Sequence, residues 1–215
     1  MKQADYFLTS RYIWCIVSLL ALSCSDDSGE HENQGPSPSY NLVSVEYAIL
    51  ESLPLRERFS SKEYGNYSNA EITCISGDEE FPVNSYFLLP SRYPEDAAYF
   101  EEIEVPIPEL DASGNIIGMS DLEFPLAFVK TQTANVEVKD PQTVVIPPLT
   151  TYRRVSYYVG WHVSAQYTCI LEDSGTKDKI AIEGNWMGDV CYKQEIQIID
   201  NQNNVIQQYE HSVIY

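Results

Sequence analysis

The chain has 215 residues, a length that predicts one domain, or one domain with a tail. Acidic residues outnumber basic ones 32 to 13, and the formal charge of −19 argues against nucleic-acid partners and against electrostatic docking on anionic lipid, since both need clustered Lys and Arg. We therefore expect a heavily solvated surface. Sixteen tyrosines, many Val, Ile and Thr, and no helical apolar period beyond the N-terminus predict an all-β fold.

Residues 1–23 have the pattern of an export signal. Lys2 and Arg11 give a positive start, and residues 12–22 form an apolar core of eleven residues. That core is shorter than the roughly 17–25 residues a spanning helix needs, but it has the length of a secretory signal. We predict that residues 1–23 are removed.

The end of the signal resembles a bacterial lipobox, in which a cysteine after the cleavage site is lipidated. Its residues are Ala21-Leu22-Ser23-Cys24, with Ala21 standing where that pattern prefers Leu. The resemblance makes Cys24 the lipid attachment site. The alternative is an ordinary signal peptide cut near the same place.

The residues after Cys24 predict a tether. Residues 25–30 (SDDSGE) resemble the acidic tag that directs lipoproteins to the outer face of the bacterial outer membrane, although a plain solvated tether would also be acidic. Residues 24–40 as a whole contain no aliphatic side chain, so they predict a flexible linker. Residues 41–215 are predicted to form a single β-rich domain.

Short strands are predicted first in the domain. They cover 42–50, 71–76 and 84–89, with Pro54 ending the neighbourhood of the first and 56–69 forming turn-rich chain. Residues 92–100 are predicted to hold one short helical turn.

Residues 100–129 predict one long amphipathic hairpin, the candidate membrane element. A four-residue loop at 111–114 places apolar residues opposite each other, pairing Ile103 with Leu122, and puts Gly114 where a positive φ is wanted. The apolar, membrane-facing positions are Ile103, Val105, Ile107, Leu122, Phe124, Leu126 and Phe128. The opposite face, which would line a cation-selective lumen, carries Glu102, Glu104, Asp121 and Glu123.

Proline argues against insertion of this hairpin. Pro106 and Pro108 remove two backbone donors from one edge of its first arm, which a closed barrel tolerates poorly and an edge strand tolerates well. We therefore expect the hairpin to pack along the body, with Phe124 and Phe128 buried.

The stretch 143–171 predicts a short strand, a Pro147-Pro148 corner and a very long strand. From Tyr157 to Leu171 the odd positions are apolar and the even ones small or polar, so we expect the odd side chains to face the core. Around it we predict strands at 134–138, 179–186, 190–200 and 205–215, the second joined to the long strand by a turn at 172–177. The whole predicts an elongated antiparallel sheet or sandwich.

The sequence contains no motif that indicates a particular reaction, and we predict a protein without catalytic residues, metal or cofactor. Cys74, Cys169 and Cys191 include no CxxC pair, and with Cys169 opposite about residue 182 we expect buried, unpaired thiols. The three histidines lack metal spacing, and a glycosidase-type carboxylate pair can be neither selected nor excluded. The Asp200-x-Gln202-x-Asn204 run has His211 where a calcium loop needs Glu.

The long stretch resembles the membrane module of aerolysin-like pore-forming toxins, in the epsilon-toxin and mosquitocidal-toxin branch. The matching corner is Val144, Ile146, Pro147 and Pro148, followed by Val155, Tyr157 and Val159. The resemblance covers about 71–200 and implies that hairpin 100–129 is the insertable element. Leu149 stands where that family often has glycine, and the hairpin holds Glu and Pro where the family is rich in Ser and Thr.

Two functions follow from this sequence. One is a lipid-anchored, non-catalytic module that forms homo-oligomers and inserts. The other is a surface lipoprotein domain that binds a glycan, a protein or the envelope, for which a surface cluster of aromatic residues would speak. Candidates for that cluster are Tyr152, Tyr157, Tyr158 and Trp161, which are equally compatible with core packing.

Overall fold

The computed structural model describes residues 39–88, 97–127, 130–138, 143–213 and 215, and those from Pro38 onward form one compact unit. Its strands are β1 (Tyr40–Asn66), β2 (Ile72–Ile75), β3 (Glu79–Leu88), β4 (Glu104–Leu110), β5 (Ile116–Pro125), β6 (Gln132–Val138), β7 (Thr143–Ile146), β8 (Thr150–Asp173), β9 (Lys179–Ile199) and β10 (Val205–Ser212). The all-β antiparallel prediction is confirmed. The predicted signal, Cys24 and almost all of the linker lie outside the described residues.

Three very long strands form the body of the protein. The main sheet has the order β1-β8-β9-β3-β6, with β10 pairing farther along β9. β1 and β8 are antiparallel from the pair Tyr40–Asp173 to the pair Asn66–Thr150. β2 pairs with β7 and β4 pairs with β5 in two further sheets, whose described strands are not paired with the main sheet.

β1 continues well beyond the predicted strand. The predictions that Pro54 ends its neighbourhood and that 56–69 is turn-rich are wrong, because β1 pairs with β8 as far as Asn66. Pro54 is tolerated since β1 is the edge of the sheet, where a missing backbone donor need not break a ladder. The register slips at three places along β1, namely Leu42/Ser44, Ile49/Glu51 and Arg58/Ser60.

The short strand, proline corner and long strand are confirmed as β7, Pro147-Pro148 and β8, but the face assignment in β8 holds over only part of its length. From Val163 to Leu171 the odd side chains are buried, as predicted. Nearer the start of the strand the even positions Tyr158 and Gly160 are buried instead and Tyr157 is half-buried, and the β8–β9 pairing has a bulge between Val159 and Gly160. Gly160 allows this bulge because a Cβ there would collide with the backbone of Val190 and Cys191.

The remaining predictions are corrected in detail. The two strands predicted at 179–186 and 190–200 are one continuous strand, β9, and β10 ends at Ser212 rather than Tyr215. A 3₁₀ turn covers Ala97–Phe100, while 89–96 lies outside the described residues. Among the described residues no helix is long and apolar enough to cross a bilayer.

Three hairpin turns share one construction, an aspartate followed by a residue with positive φ. Asp111, Asp173 and Asp200 each accept backbone N–H groups of their own turn on one carboxylate oxygen. The positive-φ residues are Gly114, Lys177 and Asn203, with φ of 80°, 68° and 64°. The Asp200 run is thus a turn that satisfies its own donors, and the positive φ expected at Gly114 is confirmed.

The apolar residues form a large and a small core. The large one lies on the face of the main sheet that carries Phe87, Val163 and Trp186, and it includes the β4–β5 hairpin. The small one joins β7 to β9 through Val144, Ile146, Ile196 and Ile198. Cys169 pairs with Ile182 as predicted, and the three cysteines are free thiols, of which Cys169 and Cys191 are buried as predicted whereas Cys74 is half-buried.

Candidate functional site: the docked hairpin

The predicted membrane element is present as the β4–β5 hairpin, with a different register. Asp111 and Asn115 close its tip, so three residues lie between paired ends instead of four. Val105 pairs with Phe124, whereas the sequence predicted a register with Ile103 opposite Leu122. The register slips twice along the hairpin, and at this pair it differs from the predicted register by four residues. Because four is an even number, the apolar side chains of the two arms still lie on the same face of the hairpin.

That apolar face is buried. Val105, Ile107 and Leu126 have no exposed surface, Phe124 is 2% exposed and Ile103 is 7% exposed. Leu122 is half-buried against the same core, and Phe128 lies outside the described residues. The predicted membrane-facing side chains that can be described therefore pack into the large core.

The opposite face of the hairpin is acidic and open to solvent. Glu102, Glu104, Asp121 and Glu123 are all exposed. Partial burial, and then the negative charge of Glu123, raise the pKa of Glu104 above its ordinary value. The four carboxylates thus lie on the same side of the hairpin, as the pattern predicted, and two of them repel each other.

Three side chains of the main sheet hold the hairpin by hydrogen bonds to its backbone, and one is the Gln132 amide of β6, which donates to the carbonyl oxygen of Pro125 at 2.7 Å. The Tyr47 hydroxyl donates to the carbonyl oxygen of Pro106 at 3.1 Å. The Trp161 indole N–H donates to the carbonyl oxygen of Asp111 at 2.9 Å, directly at the tip. Sequence reasoning did not identify Tyr47, because its place in an alternating strand shows that it points inward but not which segment covers it.

The two prolines of β4 lie along its unpaired edge. Tyr47 reaches the Pro106 carbonyl from the sheet, so this carbonyl points away from β5, and the nitrogen of the same residue points the same way. The neighbouring Ile107 carbonyl instead faces β5, where the Ser120 hydroxyl lies 3.1 Å from it. Pro106 and Pro108 therefore remove donors from the outer edge only, and the β4–β5 ladder keeps its own.

The candidate aromatic residues do not form a surface cluster. Tyr158 is buried, stacks on Phe81 and donates from its hydroxyl to Glu57 at 2.5 Å. Tyr157 is half-buried beneath the Arg56 guanidinium, 3.6 Å from the ring centre. Trp161 is engaged with the hairpin tip, and Tyr152 is half-buried at the small core.

The corner that carries the family resemblance is held by burial of its strand and by hydrogen bonds from Asn66. Val144 and Ile146 are buried, Pro147 is half-buried and Pro148 is exposed. The Asn66 amide lies within hydrogen-bonding distance of the carbonyl oxygens of Ile146, at 2.9 Å, and Pro147, at 3.0 Å. Leu149 follows with φ of 56° and a side chain that is 73% exposed.

Metal-binding potential is low in the part of the chain that the structure describes. No group of three or more His, Cys, Asp or Glu side chains is placed there to hold an ion. His162 has one acidic neighbour, with its Nδ1 atom 2.9 Å from Asp189.

Comparisons with known proteins give structural likenesses only. The sequence matches no protein-family model, and no curated protein matches it. Similar solved structures include a lamprey immune protein (TM-score 0.43, 11% identity, 82% of this chain and 53% of that one) and the Bacillus thuringiensis toxin parasporin-2 (0.38, 11%, 81% and 73%). Another is the β-pore-forming protein Mpp75Aa1.1 of Brevibacillus laterosporus (0.34, 11%, 82% and 79%). The chain thus spans about half of the lamprey protein, and at these scores the likeness carries no argument about function.

Proposed function

We propose that this protein is an exported, lipid-anchored and non-catalytic β-module that acts on membranes through the β4–β5 hairpin. The observation that carries the proposal is the hairpin's division into a buried apolar face and an exposed acidic face. Lipid tails are as apolar as the protein core. The buried face would therefore lose little free energy if its contacts with core residues such as Val163 and Trp186 were replaced by contacts with lipid. The module would belong to the epsilon-toxin and mosquitocidal-toxin branch of aerolysin-like proteins.

Release of the hairpin requires few polar contacts to break. The hydrogen bonds from Tyr47, Gln132 and Trp161 contribute about 0.5–1.5 kcal/mol each. Copies that assemble and insert their hairpins would line a lumen with Glu102, Glu104, Asp121 and Glu123. Such a pore would select cations, since all four side chains are acidic.

The alternative is a surface module that binds a glycan, a protein or the envelope and never inserts. Pro106 and Pro108 favour it, because the edge on which they lie would have to pair with a neighbouring hairpin in a closed barrel. An unmatched backbone group in hydrocarbon costs several kcal/mol.

A disulfide that locks the hairpin to the sheet separates the two functions. A Cβ at Gly114 would lie 3.1 Å from Ser52 Oγ, within the range of a disulfide, and the Ser52→Cys/Gly114→Cys pair uses this approach. The full chain would carry Cys24→Ser and Cys74→Ser to limit unwanted thiols. We expect dye release from liposomes by the reduced protein and none by the oxidised protein.

The matched control is the single variant Gly114→Cys. It carries the same backbone strain as the double variant, because φ is 80° at this position, but it cannot form the lock. Leakage that is equal in the oxidised and reduced double variant contradicts insertion of this hairpin. Absence of leakage by every protein, over several lipid compositions, leaves the binding module.

The anchor has its own experiment. Mass spectrometry of the mature N-terminus should show a chain that begins at lipidated Cys24, and Cys24→Ser should leave the membrane fraction. If residues 25–30 direct the protein to the cell surface, replacing Asp26, Asp27 and Glu30 by Ala should keep the lipid but reduce digestion by external protease. Unchanged digestion would make the acidic run a simple tether.

A further inference from the structure

A cavity of about 290 Å³ lies between the hairpin tip and the body. Its other wall is formed by the middle of β9, at Cys191 and Tyr192, and by Ser212, Val213 and Tyr215 at the end of the chain. Its lining includes Glu109, Asp111 and Ile117 on the hairpin and Tyr192, Val213 and Tyr215 on the body. The cavity therefore has its complete lining only while the hairpin is docked.

The lining combines negative charge with aromatic and aliphatic surface. Glu109 and Asp111 are its charged residues, and no Lys, Arg or His is found among the described residues that line it. The backbone N–H of Asn115, and then the other donors of the turn, hold the pKa of Asp111 below its ordinary value, so this carboxylate stays ionised. Burial raises the pKa of the Cys191 thiol to about 12, so this side chain adds no charge at neutral pH.

We propose that this cavity binds a small organic ammonium ion with an apolar body. The body would lie against Ile117, Val213 and the tyrosine rings, and the ammonium would donate to the Glu109 carboxylate. Aromatic rings add to the attraction, since a cation over a ring face is favoured by the ring's quadrupole. The volume is slightly below the usual range for ligand pockets of roughly 300–1,000 Å³, which limits the ligand to about the size of a substituted benzene.

Binding would hold the hairpin closed. A ligand that touches both walls binds the docked state and not the released one, so it shifts the equilibrium toward docking in proportion to its concentration over its Kd. This regulatory consequence rests on the proposed function, whereas the binding itself does not.

The binding test uses three probes of similar size and different charge, namely phenethylammonium, 2-phenylethanol and 3-phenylpropanoate. The protein is the full chain with Cys24→Ser, and the readouts are calorimetric titration and thermal unfolding. We expect phenethylammonium to bind and raise Tm, the neutral alcohol to bind about tenfold more weakly, which is the loss of one charge-assisted hydrogen bond, and the anion not to bind. Equal binding of the three probes, or no binding of phenethylammonium, would overturn the proposal.

Substitutions of single carboxylates test whether the ammonium ion binds at Glu109. Glu109→Gln should weaken phenethylammonium about tenfold and leave the neutral alcohol unchanged, whereas Glu46→Gln, on an exposed position of β1, should change neither. Equal loss in both variants would mean diffuse attraction to an acidic protein and contradict the site. Slower dye release at saturating phenethylammonium would further support closure. Unchanged release despite confirmed binding would overturn the regulatory part alone.

Discussion

Arg154 and Glu79 form an ion pair inside the main sheet, with side chains only 2% and 3% exposed. Two hydroxyl groups also donate to this carboxylate, Ser60 at 2.7 Å and Ser156 at 2.6 Å. The pair therefore brings the start of β3 onto β1 and β8, next to the small core that β7 and β9 share. It is a polar joint between β3 and the first residues of β8.

Removing one partner of this joint should be costly. We expect Glu79→Gln to lower the free energy of unfolding by about 3–5 kcal/mol, because it leaves the buried Arg154 guanidinium without a counter-charge. The double variant Glu79→Leu/Arg154→Met removes both charges, so its loss should be smaller than the sum of the two single losses. Urea unfolding followed by Trp fluorescence measures all of them. A loss below about 1 kcal/mol for Glu79→Gln, the range of exposed pairs, would contradict the burial of the joint.

Glu79 should also make stability depend on acid. Burial raises its pKa, but hydrogen bonds from Ser156, Arg154 and Ser60 outweigh burial and hold it below the ordinary 4.5. A carboxyl group with a lowered pKa in the folded state contributes stability that is complete above 4.5 and is lost as the pH falls through the folded value. The decline in unfolding free energy below pH 4.5 should therefore be steeper in the unsubstituted protein than in Glu79→Gln. Parallel pH profiles would contradict this.

Gly160 should not tolerate a side chain. Because a Cβ at Gly160 would collide with the backbone of Val190 and Cys191, we expect Gly160→Ala to cost at least about 1–3 kcal/mol, as overpacking does. Gly77→Ala is the matched control, since a Cβ there meets nothing within 4 Å. Thermal unfolding of the two variants checks the difference. Similar Tm values would mean that the bulge relaxes freely.

Leu149 carries backbone strain that glycine would relieve. Its φ of 56° costs an ordinary residue about 1–2 kcal/mol, while glycine loses about 0.5–1 kcal/mol more entropy on folding. We expect Leu149→Gly to stabilise the protein by about 0.5–1 kcal/mol, the difference between those two costs. Leu149→Ala removes the same exposed side chain and keeps the strain, so it should not stabilise. A Leu149→Gly protein that unfolds earlier than Leu149→Ala would contradict this account.

The Tyr47 and Trp161 contacts with the hairpin should each contribute to docking. We expect Tyr47→Phe and Trp161→Phe to cost about 0.5–1.5 kcal/mol each and to speed cleavage within β4–β5 by an added protease, because each removes one donor to the hairpin backbone. Tyr67→Phe, at an 83% exposed tyrosine far from the hairpin, is the control. If the three variants are cut at the same rate, the tip is not held by these bonds.

The sequence predicted fold class and hairpin well because both depend on local alternation. It could not predict that the even positions Tyr158 and Gly160 are buried, since burial depends on which segment covers each face of β8, and here Phe81 of β3 stacks on Tyr158. For the same reason Tyr158 rather than Tyr157 enters the core. The prediction at Pro54 was wrong because a proline interrupts a central strand but can be accommodated in an edge strand. Whether a strand lies at the edge is decided by the topology of the whole chain.

The hairpin shows the same limit. Its two faces follow from alternation within each arm, and Gly114 fixes the tip. Its register depends on how Ser120 and its neighbours bulge opposite Ile107, and its hold on the body depends on Tyr47 and Trp161, which are separated from it by about 50 residues or more of chain. Contacts across such distances in sequence leave no periodic signal.

The three register slips along β1 have a consequence for crowding. A straight edge strand of 27 residues would offer one continuous row of unpaired backbone groups on which another chain could grow. The slips at Leu42/Ser44, Ile49/Glu51 and Arg58/Ser60 break this row into segments of less than ten residues, and Pro54 removes a donor from one of them. Two copies that approached each other along β1 would therefore find no long matching row of backbone donors and acceptors.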